Sequence, residues 1–324
     1  MLSLFRNHKS KAKEGFFQKN GATILEQLIH DFNGNCNPIQ LYSAEELKKA
    51  TNDYHSDDGM RYDGWNFGVY KGVHGGREIL VKIFGERSNY RSSEFLIATE
   101  LAVSSNMSNH KNVLKLLGCC LETELATLVF EFPAKGNLPR HIYGDNAQSL
   151  PWKTKLKIAI EVADAVSYLH HGSSKVFIHR NIRTENIFLD QDCVAKLSDF
   201  QVSLPIPLDQ DHVLSECLSF LGHLSPEVLM YNRYTEKSDV FNLGMIICEI
   251  LTGKKSYELL RLRSSGDSKE LENIMEGNLL HESNMRQVTE CSKLAVRCLD
   301  SDPNARPTAQ EVSQTLRSIK RFQL

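Results

Sequence analysis

The segment Ile178-His179-Arg180-Asn181-Ile182-Arg183-Thr184-Glu185-Asn186 constrains this chain more than any other. A histidine-arginine pair stands directly before one asparagine, and a second asparagine follows five residues on. The decisive residue is Asn181. A carboxamide can orient a hydroxyl by hydrogen bonding, but it is not appreciably basic near neutral pH and takes up no proton. A positioned general base contributes about 10²- to 10⁴-fold in rate. A site that uses Asn181 in place of a carboxylate is slowed by that factor, and its fate depends on how many other parts are missing.

With 324 residues, 41% hydrophobic and 24% charged, the chain can bury a large core as one bilobal domain or two. The formal charge of -2 supplies no field that would draw in nucleic acid, so no such partner is expected. The eight cysteines form no C-x-x-C pair and no Cys/His cluster with zinc spacing, and they read as reduced cytosolic thiols. Cys291 and Cys298, two helical turns apart, are expected to pack. No run of about 18 apolar residues is present to span a membrane, and Leu2 argues against a myristoyl anchor. Arg6, Lys9, Lys11 and Lys13 form a short basic patch that reads as a solvated tail in preference to a contact with acidic lipid.

Residues 1 to about 20 read as a mobile basic segment, followed by an amphipathic helix through Ile24, Leu25, Leu28, Ile29 and Phe32. Ser43-Ala44-Glu45-Glu46 is a capping box opening a second short helix. Apolar alternation from about 60 to 83 and an apolar stretch from Leu125 to Phe132 predict a small antiparallel sheet with one helix between. From Trp152 onward the pattern is helical. Leu156, Ala159, Ile160, Ala163 and Val166 mark one long helix, and Val240, Leu243, Ile246, Ile247 and Ile250 mark another that closes at Gly253. Thr308 and Glu311 cap a last helix packing through Val312, Leu316 and Ile319.

Around the 178–186 loop stand Lys82 on an apolar strand, Asp199-Phe200-Gln201 and Ser225-Pro226-Glu227. In this order and spacing they resemble the protein kinase family, with its H-R-D-x-x-x-x-N, D-F-G and A-P-E signatures, from about Tyr54 to Arg321. The resemblance implies an α+β, bilobal fold with a small antiparallel-sheet N-lobe over about 54–131, a hinge at 131–136 and a larger, mainly helical C-lobe over 137–324. A basic tail and helical extension over 1–53 would precede it. It further implies that Lys82 contacts nucleotide phosphates, that Glu131 lies at the nucleotide-facing hinge, and that Asn186 and Asp199 hold magnesium. Glu227 and Arg306 would form the ion pair that anchors the activation segment, and Asp239 would brace the catalytic loop. Glu100, with Glu94 as the alternative, would pair with Lys82.

Phe16-Phe17-Gln18-Lys19-Asn20-Gly21, Glu46-Leu47-Lys48-Lys49-Ala50-Thr51-Asn52, Lys115-Leu116-Leu117-Gly118-Cys119-Cys120 and Thr235-Glu236-Lys237-Ser238-Asp239-Val240 are similar to wall-associated-kinase-like receptor kinases of plants. Without a membrane span, the chain resembles a receptor-like cytoplasmic kinase, above all the HopZ-ETI-deficient-like pseudokinases that serve as adaptors of a coiled-coil NLR immune receptor. The partners so implied are that receptor and a receptor-like cytoplasmic kinase. The implied location is cytoplasmic, or peripheral at the plasma membrane through those partners.

Departures from the kinase pattern accompany Asn181. Counting back from Val69 puts Tyr62, Gly64 and Phe67 at the three positions of the phosphate-covering glycines, with Gly68 out of register. Leu80 and Phe188 narrow the adenine slot, or fill an empty one. With Phe130 as gatekeeper, Pro133 stands where a backbone NH is needed and has none to give, at a cost to ATP of about 1–3 kcal/mol. Gln201 replaces the glycine that eases the turn at Asp199, and Phe220 replaces a threonine expected in the phosphoacceptor segment. The segment from Asp199 to Glu227 carries Ser203, Ser215 and Ser219 among acidic and apolar residues, and reads as a switch that orders on partner contact or as a plain surface loop. The expectation is a pseudokinase adaptor that requires no cofactor, its remnants Lys82, Glu131, Asn186 and Asp199 offering at most weak ATP and magnesium binding. The alternatives are a weakly active Ser/Thr kinase using Lys82, Asn186 and Asp199, and a nucleotide-sensing module.

Overall fold

A computed structural model describes residues 2–55, 67–85, 93–143, 150–172, 175–216, 223–259 and 285–322. The chain divides into two compact units, Met1–Pro133 and Ala134–Leu324.

The first unit opens with helix α1 (Leu2–Phe32), so the stretch expected to be a mobile tail is helical. Lysine, glutamate and glutamine are strong helix formers, and tertiary contacts hold the helix from its middle onward. Lys13 pairs with Glu122 at 3.0 Å and Lys19 with Glu94 at 2.7 Å, while the Asn20 amide donates to the carbonyls of Leu121 and Thr123. Ile24, Leu28 and Phe32 are buried as expected; Leu25 and Ile29, assigned to the same face, are each 55% exposed. Strand β1 (Gln40–Leu41) and helix α2 (Ala44–Ala50) follow, the latter with its Ser43/Glu46 capping box formed.

Strands β2 (Phe67–His74) and β3 (Arg77–Phe84) make a hairpin over Gly75-Gly76, both with positive φ, which is the backbone a two-residue primed turn requires. Helix α3 (Ser93–Met107) packs on α1, and strands β4 (Leu116–Cys120) and β5 (Thr127–Glu131) complete a sheet of order β1-β4-β5-β3-β2. The pairings are antiparallel except at one edge, where β1 runs parallel to β4. Neither β1 nor β4 is among the strands the sequence predicts. Leu-Leu-Gly-Cys-Cys is mostly buried and so lacks period-2 alternation, and its register shifts between Leu116 and Gly118. Gly118 explains the edge: a Cβ there would lie 1.9 Å from the Gln40 carbonyl oxygen. Tyr42, Leu47, Ile79, Val81, Cys120 and Val129 form the core beneath.

The second unit begins with β6 (Gly136–Asn137), α4 (Pro139–Ile142) and α5 (Trp152–His171). Short strands then carry the loops: β7 (Phe177–Ile178), β8 (Ile187–Leu189), β9 (Ala195–Leu197), β10 (Leu204–Pro205) and β11 (Val213–Leu214). Next come α6 (Pro226–Tyr231), β12 (Arg233–Tyr234), α7 (Glu236–Thr252), α8 (Met285–Cys298) and α9 (Ala309–Lys320). Helix α7 is buried from Ser238 to Thr252 and closes at Gly253 with φ 65°, while α5 packs on α9 and α7 on α8. The apolar faces predicted for α5, α7 and α9 are the buried ones. Cys291 and Cys298 are packed inside, and burial pushes both thiols up to about 12.

Candidate functional site

Asp239, in the first turn of α7, holds the loop that contains Asn181. Its Oδ2 accepts the His179 backbone NH at 2.8 Å and lies 2.9 Å from His170 Nε2, and its Oδ1 accepts the Arg180 NH at 2.9 Å. Asp239 therefore braces the loop as the sequence implied. Arg180 adopts φ 69°, a left-handed conformation that costs a non-glycine residue about 1–3 kcal/mol and persists only where surroundings enforce it. His179 is fully buried. Burial holds its pKa below the ordinary imidazole range, against the opposing charges of Asp239 and Asp199. The neutral ring donates from Nε2 to the Ser198 carbonyl at 3.1 Å, accepts the Asn181 NH at Nδ1 at 3.2 Å, and packs on Phe200.

These contacts bring Asn181, Asn186, Asp199 and Gln201 together, all buried. Asn181 Nδ2 donates to Asp199 Oδ2 at 2.8 Å, and Asn186 Nδ2 reaches the same oxygen at 3.3 Å while donating to the Asn181 carbonyl at 2.8 Å. Gln201 Nε2 donates to the other oxygen, Oδ1, at 2.7 Å. Gln201 does not obstruct the turn, because Asp199 itself takes the left-handed backbone at φ 71° and the Gln201 side chain folds back onto it. The position that would need a proton acceptor therefore presents an N–H donor.

Magnesium takes near-octahedral oxygen ligands. Here one carboxylate is present, both of its oxygens accept amide hydrogens, and no group of three or more His, Cys, Asp or Glu side chains stands ready for a metal among the described residues. As arranged, a cation at Asp199 would have to displace these amide hydrogens.

In the first unit, Lys82 on β3 pairs with Glu100 on α3 at 3.6 Å, both side chains buried. Glu94 is committed to Lys19, which settles the choice between the two glutamates. Leu80 is buried opposite Phe130 on β5. The Glu131 carboxylate accepts the Lys115 backbone NH at 3.0 Å, and Pro133 ends the unit. Gly68 is spent on packing: a Cβ there would meet the Tyr70 ring at 2.8 Å. Tyr62 and Gly64 lie outside the described residues. In the second unit Phe188 is buried in β8.

Residues 202–216 are tied down at both ends by Arg180, a role the sequence did not disclose. Its Nη1 donates to the Val202 carbonyl at 2.9 Å, its Nη2 to Ser215 Oγ at 3.2 Å and to the Glu216 carbonyl at 2.6 Å, and its guanidinium stacks on Tyr234. Strand β10 pairs with β7, and β11 with β12. Ser203, assigned to a switch surface, is 1% exposed and donates toward the His179 carbonyl at 3.4 Å, because β10 draws that stretch inward. Ser219 and Phe220 lie outside the described residues. Glu227 and Arg306 form a bidentate pair at 2.8 Å on both arms, and the hydroxyls of Ser225 and Ser238 donate to Glu227 Oε1.

A family model described as protein tyrosine and serine/threonine kinase matches residues 60–316. Among curated proteins the chain is similar to three from Arabidopsis thaliana. It is 35% identical to wall-associated receptor kinase 1, over 96% of the chain and 43% of that protein. With wall-associated receptor kinase-like 1 the identity is 34%, over 97% and 44%. With wall-associated receptor kinase-like 4 it is 33%, over 97% and 42%. The chain thus spans less than half the length of these relatives.

Proposed function

The chain belongs to the protein tyrosine and serine/threonine kinase family, and from that premise we propose that it is a catalytically impaired member, a pseudokinase whose work is to bind other proteins. The observation that carries the reading is Asn181. The family's Asp at this place accepts the substrate hydroxyl proton, whereas Asn181 is not basic and its amide is turned onto Asp199. Pro133, without an NH for adenine, and Gly68, committed to packing against Tyr70, support the same reading.

We further propose a setting in plant innate immune signalling, which is what the resemblance in the sequence implies; the likeness to plant wall-associated receptor kinases supports only its receptor-kinase part. There the chain would bring a receptor-like cytoplasmic kinase to a coiled-coil NLR receptor, in the cytoplasm or at the plasma membrane through its partners. The activation segment is the proposed contact surface. Leu208 is 83% exposed and Leu214 68%, and Met230 and Tyr231 line a groove of about 700 Å³ together with Asp211 and Arg233.

Phosphotransfer by the purified chain with ATP and Mg²⁺ or Mn²⁺, beside a Lys82→Ala control, tests the reading. No transfer above the control is expected; transfer that disappears in the control overturns it. The buried Lys82–Glu100 pair favours a second reading, a nucleotide-sensing module. That reading requires ATP to raise the melting temperature and Lys82→Ala to remove the gain. A weakly active Ser/Thr kinase requires Asn181→Asp to raise transfer by about 10²-fold or more.

A further inference from the structure

The carboxamides around Asp199 do more than replace a base. This inference rests on the reading of the chain as a kinase-like protein without one, and concerns what holds its site together. Asn181, Asn186, Asp199 and Gln201 converge within hydrogen-bond distance, and of these four Asp199 is the charged one. An uncompensated buried carboxylate is costly, and a carboxylate that accepts two or three N–H bonds is well satisfied. Asn181 and Asn186 supply donors to one oxygen and Gln201 to the other, so both oxygens accept amide hydrogens. A cation approaching Asp199 would meet the positive ends of amide N–H bonds, and seating it would require those hydrogen bonds to break.

We propose that Asn181, Asn186 and Gln201 form a carboxamide clamp that holds Asp199 in the place of a divalent cation, so that the fold of this site is independent of metal. Asn181 and Gln201, the two departures from the family signatures H-R-D and D-F-G, are then a matched pair of positioning residues. Exchange of one amide for a carboxylate should make the site depend on a cation. In Asn181→Asp an oxygen replaces Nδ2 and faces Asp199 Oδ2 across the present 2.8 Å. Two carboxylates at that separation repel unless a cation or a shared proton lies between them.

The test is thermal unfolding of the full chain without nucleotide, in EDTA and then in millimolar Mg²⁺ or Mn²⁺. The wild type is expected to melt within about 1 °C in all three conditions, and Asn181→Asp about 3 °C or more lower in EDTA, with most of the loss regained on adding Mn²⁺. Gln201→Glu makes the same prediction at the other Asp199 oxygen and keeps the idea testable if Asn181→Asp does not fold. A wild type stabilised by several degrees by cation alone overturns the clamp, as does an Asn181→Asp variant that melts no lower than wild type in EDTA. A cation-stabilised wild type that transfers no phosphate overturns the clamp and leaves the adaptor reading standing. Phosphate transfer by a wild type whose melting ignores cations does the reverse.

Discussion

Glu227 and Arg306 meet through two parallel hydrogen bonds in the interior. Burial pushes the Glu227 carboxyl up, but the Arg306 guanidinium and the Ser225 hydroxyl outweigh it, so its pKa lies below the ordinary carboxylate range. Arg306→Ala leaves a buried charge without its partner and is expected to destabilise the chain by about 3–5 kcal/mol in urea unfolding. A carboxyl with a depressed folded pKa contributes stability above its unfolded value near 4.5 that is lost as pH falls through the folded one. Arg306→Ala should therefore flatten the acid limb of the stability profile.

Glu249 behaves oppositely. Burial first, then the charge of Glu185, raises it to about 8, while burial and Arg183 lower His223 to about 3, so their 3.8 Å approach joins two neutral groups at pH 7. The folded state keeps a proton on Glu249 that the unfolded chain has released, and this contribution weakens as pH rises from 4.5 to 8. Glu249→Gln should raise the melting temperature at pH 8 and barely change it at pH 4.5. Asn181, Asp239 and the Glu227–Arg306 pair were legible because signature spacing gives each a role. The partners of Gln201 and Glu249 were not, because each depends on a side-chain direction that spacing leaves open.

At the scale of elements, the helices of the second unit were readable from apolar periodicity and caps. The Thr308/Glu311 box forms as predicted, and Thr308→Ala should cost about 1 kcal/mol in chemical unfolding. The edge of the sheet was not readable. A parallel pair joining residues 40–41 to 118–119 is a long-range event with no local signature, and the glycine that permits it sits in a segment without alternation. Gly118→Ala places a methyl group against the Gln40 carbonyl, and such overpacking costs about 1–3 kcal/mol or more. Hydrogen exchange should then accelerate at the Tyr42 amide, which now donates to the Cys119 carbonyl at 2.9 Å, and leave the β2–β3 hairpin unchanged.

Across the whole molecule, thiol chemistry reports folding. Among the described cysteines, Cys36 is exposed, while Cys119, Cys291 and Cys298 are buried with thiols pushed up to about 12. Iodoacetamide at pH 8 should label Cys36 in the native chain and reach those three only on unfolding, since the thiolate is the reactive form. The α+β plan, with its antiparallel sheet and mainly helical second part, was legible from signature order. The helical start of α1 was not, because its anchors, Glu94 and Glu122, are distant in sequence. The parallel edge has a consequence for synthesis. Gln40 and Leu41 leave the ribosome 78 residues ahead of Gly118 and Cys119, the strand they join. At about 5–20 residues per second the nascent strand waits roughly 4–16 s with its backbone groups unpaired, an open edge that a chaperone at the tunnel exit can cover.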